Sequence, residues 1–166
     1  MLRFFGPTYT TDGMIILELP DETATAALAR RIATLAQRGD VIALRGELGA
    51  GKTSFARAFI RGRGEAEEVP SPTFTLVQVY DFAEAPIWHF DGYRLKDPDE
   101  AWELGIEQAF DEAISLIEWP ERFGSLIPAR RLEITLAQLP AAEARQAAID
   151  PGGEWAGRLA ELAANA

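Results

Sequence analysis

The sequence has no cysteine and few basic residues. Without cysteine, neither a disulfide framework nor a thiolate metal site is available. Lysine and arginine together number 16 against 26 acidic residues, which gives a formal net charge of −10. Because extensive contact with nucleic-acid phosphates requires basic patches, this balance argues against direct, extensive binding of nucleic acid. The exception is a local patch of Arg57, Arg61 and Arg63. Because the chain is acidic overall, a nucleic-acid role would require a basic partner.

Long apolar runs are also absent. No stretch approaches the ~20 apolar residues of a membrane-spanning helix, and the first residues lack the apolar core of a secretory signal. We therefore expect a cytoplasmic protein with no membrane partner. The remaining composition is that of a globular protein, with 48% hydrophobic and 25% charged residues. At 166 residues we expect one domain at positions 14–166, preceded by an irregular arm at positions 1–13.

One stretch of the chain fits a phosphate-binding loop. Residues 46–53 read Gly-Glu-Leu-Gly-Ala-Gly-Lys-Thr, which matches the pattern of Gly, four residues and Gly-Lys-Thr. An apolar run at 41–44 predicts a buried strand before the loop, and residues 54–60 predict a helix after it. The motif requires this order of strand, loop and helix. The plain alternative, a glycine-rich turn before a surface helix, is disfavoured because motif and context agree.

The residues of this loop have separate expected roles. Glycines allow positive φ, so that successive backbone N–H groups and the positive end of the following helix converge on a phosphate. Lys52 adds an ammonium for the β- and γ-phosphates, and the Thr53 hydroxyl is placed to bind Mg²⁺. The predicted nucleotide-binding residues of this segment are Gly46, Gly49, Ala50, Gly51, Lys52, Thr53 and Ser54.

The rest of the chain alternates strand and helix patterns. A helix is predicted from a cap at Asp21 or Thr23 to about Arg38. Another begins after a cap at Asp97 and ends at Gly105. Residues 62–68 are predicted to form a loop, and residues 153–164 a terminal helix. Strands separated by helices imply one α/β domain of the P-loop NTPase type, with a central, mostly parallel sheet flanked by helices. The predicted strands are 14–19, 41–44, 73–80, 87–91, 113–118, 132–136 and 145–149.

Two acidic residues, Asp91 and Glu118, end predicted strands. Ligands of such sheets bind at the carboxyl ends of the strands, so Thr53, Asp91 and Glu118 are expected at one edge. A P-loop ATPase needs a second Mg²⁺ anchor, usually an acid that ends an apolar strand. Glu118 follows the cleaner apolar run and is the predicted metal ligand beside Thr53. Asp91 is then the second acid, which holds a metal-bound water or orients the attacking water. The two roles are interchangeable at this stage, and either acid alone also fits a helix cap.

Three nearby side chains have open roles. His89 is the single histidine, and a lone histidine in a strand is more often a packed core residue than a catalyst. Trp119 either stacks on a base or a partner, or forms an apolar plug beside the site. Arg94 either neutralises phosphate charge or pairs with an acid.

Four motifs, taken in order, resemble the TsaE family, the small bacterial ATPases of tRNA threonylcarbamoyladenosine biosynthesis. The loop at 46–53 is the first of them. The others are Ser-Pro-Thr-Phe-Thr-Leu at 71–76, His-Phe-Asp-Gly-Tyr-Arg-Leu at 89–95 and Glu-Trp-Pro-Glu at 118–121. The similarity spans roughly residues 20–136. Many families share the loop, and the three further motifs at these spacings make the resemblance specific.

The resemblance implies an ATPase that uses Mg²⁺ and supports a pair of partner proteins, TsaB and TsaD. That pair transfers threonylcarbamoyl to adenosine 37 of certain tRNAs. In the family, the ATPase serves turnover of the assembly and not the transfer itself. Hydrolysis is therefore expected to be slow in the isolated protein, and tRNA is expected to be met only indirectly, through the complex.

The resemblance also implies residue roles, position by position. Lys52 and Thr53 fall on positions with phosphate and metal roles, and Glu118 falls on a Mg²⁺ position. Asp91 and Glu118 fall on functionally important positions, and the predicted catalytic residues are Lys52, Asp91 and Glu118. Trp119 falls on a functionally important position. Nucleotide contacts near the base are implied at Asp21, Glu22 and Thr23.

The chain departs from the family pattern at two motif positions. Gly92 stands where leucine is common, which is expected to loosen that turn. Ser54 stands where a second threonine is common, and it keeps a hydroxyl for phosphate. Residues 71–75 fall on a switch-like segment. The region after about residue 137 matches little, so no residue role is assigned there.

Two other functions compete with the ATPase. A small-molecule kinase should show an acceptor pocket and an arginine-bearing lid, but the 62–68 loop that carries Arg63 is acidic overall. A non-catalytic, nucleotide-gated interaction module is the other. A GTPase would need an Asn-Lys-x-Asp base reader, and the single asparagine, Asn165, excludes that function.

Overall fold

The described part of the chain comprises residues 7–64 and 68–164, with side chains described up to residue 160, in a computed structural model. Residues 1–6 of the predicted arm, residues 65–67 of the predicted 62–68 loop and Asn165 lie outside the described residues. Among the described residues, no helix is long and apolar enough to cross a membrane.

Within residues 7–64 and 68–164, eight strands form one sheet in the order β1-β2-β8-β7-β3-β6-β5-β4. The four central strands β7, β3, β6 and β5 run parallel, and the flanking pairs are antiparallel. The predicted α/β fold with a mostly parallel centre is confirmed. The strands are β1 (Thr8–Tyr9), β2 (Ile15–Leu19), β3 (Val41–Arg45), β4 (Val77–Tyr80), β5 (Ile87–Asp91), β6 (Ile114–Glu118), β7 (Leu132–Gln138) and β8 (Arg145–Pro151).

Helices cover both faces of this sheet. One apolar core joins α1, α2 and α5 to Ile42 and Leu44 of β3, and a second core joins α3 and α4 to Val41. Because successive strand residues point to opposite faces, a buried central strand such as β3 is apolar throughout. The helices are α1 (Glu22–Leu35), α2 (Lys52–Arg63), α3 (Glu100–Glu103), α4 (Ile106–Glu112) and α5 (Trp155–Ala164), with a 3₁₀ helix at Pro120–Leu126.

The sheet brings the ends of β3, β5 and β6 together. Leu44 pairs with Glu118, and Glu118 pairs with Asp91, across parallel neighbours. Loops that leave the carboxyl ends of these strands therefore meet at one edge. That edge receives the 46–53 loop, which follows β3 and continues into α2.

The strand predicted at 73–80 is shorter than expected. Residues 72–75 form a turn, in which the Leu76 amide donates to the Pro72 carbonyl at 2.7 Å, and only Val77–Tyr80 pairs with β5. Leu76 adopts a positive φ of 68°, which ends the turn and starts β4. The hydroxyls that suggested a strand instead make local and site contacts, so alternation alone misplaced this boundary.

Other boundaries differ at the ends of elements. Thr8 and Tyr9 of the expected arm pair with Ile16 and Ile15 and so extend the sheet. Helix α1 has the predicted cap, since Asp21 Oδ1 accepts from the Ala24 amide at 2.8 Å, but it ends at Leu35 before the predicted Arg38.

Three further boundaries lie at the ends of helices α2, α3 and α4. Asp97 closes a turn, because its carboxylate accepts from the Asp99 amide at 2.9 Å, and helix α3 starts only at Glu100. Gly105 separates α3 from α4 as predicted, with a φ of 82°. Helix α2 continues to Arg63, past the predicted residue 60, so the expected loop begins later.

Candidate active site

The 46–53 loop has the backbone shape that its glycines predict. Gly51, the residue before α2, has a φ of 103° and leaves the first turn of α2 without a side-chain cap. The first N–H groups of the helix therefore remain available to an anion. Gly46 has a φ of 146°, and a Cβ there would lie 2.6 Å from the Leu136 carbonyl oxygen of β7. Only glycine fits between the loop and β7.

Lys52 is buried at the start of α2, only 4% exposed. Its Nζ donates to the carbonyl oxygens of Gly46 at 2.6 Å and Glu47 at 2.8 Å. It also lies 4.2 Å from the centre of the Trp119 ring, a cation–π contact. Burial lowers the pKa of Lys52, and the nearby carboxylates, Glu118 foremost, oppose that shift. The ammonium thus lies inside the loop, held by its carbonyls.

Thr53 and Glu118 meet as predicted for a metal pair. The Thr53 hydroxyl donates to Glu118 Oε1 at 2.8 Å. The other carboxylate oxygen, Oε2, lies 2.7 Å from His89 Nε2. His89 and Glu118 are 0% and 2% exposed, so both oxygens of a buried carboxylate are engaged.

Asp91 lies beside this pair with two donors of its own. Its Oδ1 accepts from the Tyr93 amide at 2.9 Å and its Oδ2 from the Thr73 hydroxyl at 3.0 Å. Burial raises the pKa of the Asp91 carboxyl; the hydrogen bonds partly offset this shift, and the charge of Glu118 adds to it. The Thr73 contact connects the switch-like segment 71–75 to the acid.

These side chains line one cleft of about 510 Å³. Of the predicted residues, it gathers one from α1, five from the loop and the start of α2, and both acids. Those are Glu22, Gly49, Gly51, Lys52, Thr53, Ser54, Asp91 and Glu118. Trp119 lines it as well, and its ring lies 5.2 Å from that of Tyr93.

The remaining predicted residues do not line the cleft. Asp21 caps α1, the carbonyl of Gly46 holds Lys52, and Ala50 is 2% exposed beneath the loop. Thr23 is exposed in the first turn of α1. The structure thus brings Glu22, but neither Asp21 nor Thr23, to the cleft from the α1 entry.

Arg145, Gln138 and Glu143 lie at or beside the cleft, and the sequence assigned them no role. Arg145 Nε donates to the Ala50 carbonyl at 2.9 Å, and Gln138 Nε2 donates to the Gly49 carbonyl at 2.9 Å. Glu143 lines the cleft beside Arg145. They come from the hairpin formed by β7, residues 139–144 and β8. No local motif marks them; only the placement of β7 beside β3 could have indicated them.

Arg94 and Arg63, whose roles the sequence did not decide, have defined contacts. The Arg94 guanidinium lies 4.3 Å from the centre of the Phe74 ring. Arg63, the arginine considered for a kinase lid, donates instead to the carbonyls of Ala33 and Ala36 and pairs with Glu84.

The turn at Gly92 is packed, not loosened. A Cβ at Gly92 would lie 2.7 Å from the Phe123 ring and 2.8 Å from the Trp119 carbonyl oxygen. Its amide donates to the Glu118 carbonyl at 2.9 Å. The expected loosening is wrong, because the space that a side chain would need is filled by the segment after Glu118.

The donor set fits Mg²⁺. A hydroxyl and a carboxylate lie within 2.8 Å of each other, and a second carboxylate follows at the adjacent register position. Within the described residues, no group of three or more His, Cys, Asp or Glu side chains could hold a metal alone. Magnesium is usually bound by one or two carboxylates together with substrate phosphates, so this arrangement suits it.

Comparisons with known proteins agree with these motifs. The sequence model of one family, described as "Threonylcarbamoyl adenosine biosynthesis protein TsaE", matches residues 19–147. This range extends beyond residue 136, where the predicted resemblance ends, and includes Gln138 and Arg145. Among solved structures, a crystal structure of Bacillus subtilis YdiB aligns with a TM-score of 0.74 and 28% identity, over 92% of this chain and 95% of that one.

Curated relatives share this description. A protein from Rickettsia felis, described as "tRNA threonylcarbamoyladenosine biosynthesis protein TsaE", is 41% identical over 125 residues, 75% of this chain and 73% of that protein. One from Bacillus subtilis with the same description is 39% identical over 118 residues, 70% and 72% of the two chains. The chain therefore belongs to the TsaE family of tRNA threonylcarbamoyladenosine biosynthesis proteins.

Proposed function

We propose that this protein binds ATP with Mg²⁺ in the cleft and hydrolyses it in support of the TsaB–TsaD pair, which modifies adenosine 37 of tRNA. The contact between Thr53 and Glu118 carries the proposal. It places a hydroxyl and a buried carboxylate 2.8 Å apart at the N-terminus of the helix that follows a phosphate-binding loop. Because tRNA modification takes place where tRNA is made and used, the proposed location is the cytoplasm.

The loop and α2 would hold the triphosphate. Gly49, Gly51 and the first residues of α2 line the cleft, where the helix dipole favours an anion. Lys52 would exchange the carbonyls of Gly46 and Glu47 for phosphate oxygens. Since a hydrogen bond from an ammonium is stronger to a charged acceptor, the exchange favours the nucleotide-bound state.

The metal would be held by the Thr53 hydroxyl and the Glu118 carboxylate. When bound, Mg²⁺ supplies positive charge that neutralises the phosphate oxygens of ATP. Asp91 would orient the attacking water, because its carboxylate is fixed by Thr73 and the Tyr93 amide at the same edge.

The partner proposal has support at the rim of the cleft. Leu48 and Phe74 are 72% and 80% exposed, although both belong to the segments that carry the site. Where such side chains form a contiguous apolar patch, the patch is typical of a surface that another protein covers. A partner at this rim would reach the phosphate-binding loop and the 71–75 segment together.

The decisive experiment measures phosphate release by the wild type, Lys52→Ala and Glu118→Ala, with and without TsaB–TsaD. We expect slow release by the wild type, faster release with the partners, and no Mg²⁺-dependent release by either variant. The same mixtures are then scored for modified tRNA. Full activity of Glu118→Ala would move the metal role to Asp91. A rate unaffected by the partners would favour a small-molecule kinase.

A further inference from the structure

The Glu118 carboxylate has a second buried partner that the proposed chemistry does not use. His89 is 0% exposed, and its Nε2 lies 2.7 Å from Glu118 Oε2. Oε1, the other oxygen, accepts from the Thr53 hydroxyl at 2.8 Å. The carboxylate is therefore held between a histidine on one side and the proposed metal-binding hydroxyl on the other.

The hydrogen-bonding partners of the ring indicate which nitrogen carries the proton. Among the described residues, Nδ1 of His89 has no hydrogen-bond partner. A neutral imidazole with its proton on Nε2 donates to the carboxylate and leaves only a lone pair unpaired at Nδ1. The other neutral tautomer would place two acceptors against each other at 2.7 Å. Nε2–H is therefore the donor.

The register of the sheet explains why this histidine reaches the acid. His89 and Asp91 lie two residues apart on β5, and β6 beside it carries Glu118 opposite Asp91. Side chains two apart on a strand point to the same face, so β5 presents both to the face that carries Glu118. Asp91 flanks the acid at the sheet edge, and His89 lies one step deeper.

We propose that His89 is a positioning residue that presents Glu118 to the metal; this inference rests on the proposed function. The Nε2–H bond holds Oε2, which fixes the carboxylate plane and leaves Oε1 directed at the Thr53 hydroxyl, beside which Mg²⁺ would be held. Carboxylates that bind metals are commonly held by such outer hydrogen bonds, and loss of the partner costs about 10–100-fold in metal affinity. Without His89, Oε2 would be a buried acceptor with no donor and would turn the carboxylate away.

The test is a set of full-length variants, His89→Gln, His89→Asn and His89→Leu. Glutamine carries an amide N–H at the end of a side chain long enough to reach Oε2, asparagine carries the same group one carbon short, and leucine carries none. Ser115→Ala is the matched control, because Ser115 is also 0% exposed, lies on β6 and has no partner for its hydroxyl among the described residues. Mn²⁺ binding with saturating AMPPNP is measured by electron paramagnetic resonance, and AMPPNP binding is measured in EDTA.

We expect His89→Leu and His89→Asn to weaken Mn²⁺ binding about 10–100-fold, and His89→Gln to recover most of it. Metal-free AMPPNP binding and the Ser115→Ala protein should be unchanged. In a Glu118→Gln background, a further His89→Leu change should have no added effect, because His89 acts through that carboxylate. If His89→Leu does not fold, the Mn²⁺ affinities of His89→Gln and His89→Asn decide whether the hydrogen bond to Oε2 is needed.

Two results would overturn the assignment alone, and a third would overturn it together with the proposed function. Equal Mn²⁺ affinity in the wild type and the folded His89→Leu protein would make His89 a core residue. Equal weakening in the glutamine and asparagine variants would attribute the loss to packing. Failure of the wild type itself to bind Mn²⁺ with AMPPNP would reject the proposed function and this inference together, so the two failures are distinguishable.

Discussion

The phosphate-binding loop lies between two walls that hold it differently. On one wall, the ends of β5 and β6 supply side chains, so that Thr53 contacts Glu118 and Lys52 contacts Trp119. On the other wall, the hairpin of β7 and β8 binds the loop backbone, through Gln138 and Arg145 on the carbonyls of Gly49 and Ala50. The first wall presents acidic and aromatic side chains to the cleft. The second sets the shape of the loop.

The difference explains why one wall carries motifs and the other does not. A metal-binding carboxylate must be a particular residue at a particular strand end, so its sequence surroundings are recognisable. A carbonyl can be held by any long side chain with an N–H group, and the partner can come from a distant segment. Gln138 and Arg145 lie 89 and 95 residues from the carbonyls that they bind, Gly49 and Ala50 respectively.

Gly46→Ala tests the contact between loop and hairpin most severely. The new Cβ would lie 2.6 Å from the Leu136 carbonyl at a φ of 146°, so the loop or β7 must move. If strain of about 3 kcal/mol is relieved only when the loop leaves its phosphate-binding shape, ATP binding should weaken about 100-fold, which isothermal titration calorimetry measures. Gly157→Ala on α5 is the control, because a Cβ there meets nothing within 4 Å. ATP affinity equal to that of the control would show that the loop does not depend on its fit against β7.

Arg145→Ala removes the main hydrogen bonds of the hairpin wall. Loss of a charged donor to the Ala50 carbonyl, 2.9 Å away, should cost about 1.5 kcal/mol and weaken ATP binding about tenfold. Arg158→Ala is the control, since Arg158 pairs with Asp40 away from the cleft and should lower the melting temperature without changing ATP affinity. If both variants lose stability and neither loses affinity, the hairpin has no part in nucleotide binding.

The sequence predicted the first wall, formed by the ends of β5 and β6, because the patterns that indicate it are local. The loop needs only its own glycines and flanking strand and helix, and Asp91 and Glu118 needed only strand ends in one sheet. Predicting the contacts of the hairpin with the loop requires the order of strands in the sheet, which the sequence of residues 132–151 does not indicate. For this reason Arg145 was missed although its strand was predicted.

Other errors have the same physical cause, a competition between local pattern and distant contact. Residues 73–76 have the alternation of a strand, but the Thr73 hydroxyl bonds to Asp91, 18 residues away, and the segment turns. At Gly92, the missing side chain suggested a loose turn, but Phe123 and the Trp119 carbonyl fill the space. The phosphate role of Lys52 stays a prediction; in this structure its ammonium binds carbonyls of the loop.

Asp91→Asn tests how much the ionised, buried carboxylate of Asp91 lowers the stability of the folded protein. Burial raises the pKa of Asp91, so the folded protein binds this proton more tightly than the unfolded chain. The cost of ionisation to stability therefore grows as pH rises from the ordinary aspartate pKa, about 3.9, through the raised value, and is fully present above it. We expect the variant to melt a few degrees above the wild type at pH 8, and this gain to shrink towards pH 4.

Differential scanning calorimetry without nucleotide measures this dependence. Asp97→Asn is the control, because Asp97 is an exposed aspartate in a turn. A gain for Asp91→Asn that stays constant between pH 4 and 8 would contradict the predicted cost. A variant that is less stable than the wild type at pH 8 would mean that the donors Thr73 and Tyr93 outweigh burial.

Gln138→Ala should have the smallest effect on ATP affinity. It tests whether Gln138 and Arg145 hold the loop carbonyls separately or together. A neutral hydrogen bond contributes about 0.5–1.5 kcal/mol, so ATP binding should weaken about threefold. Gln108→Ala is the control, since Gln108 donates one hydrogen bond of 3.0 Å to Glu112 on α4. Arg145 also donates to the Gly49 carbonyl, at 3.4 Å, and so can retain it when Gln138 is lost. The Gln138→Ala, Arg145→Ala double variant should therefore lose more affinity than the two single losses predict. Strict additivity would mean that each side chain holds its own carbonyl and that the hairpin is two separate contacts, not one support.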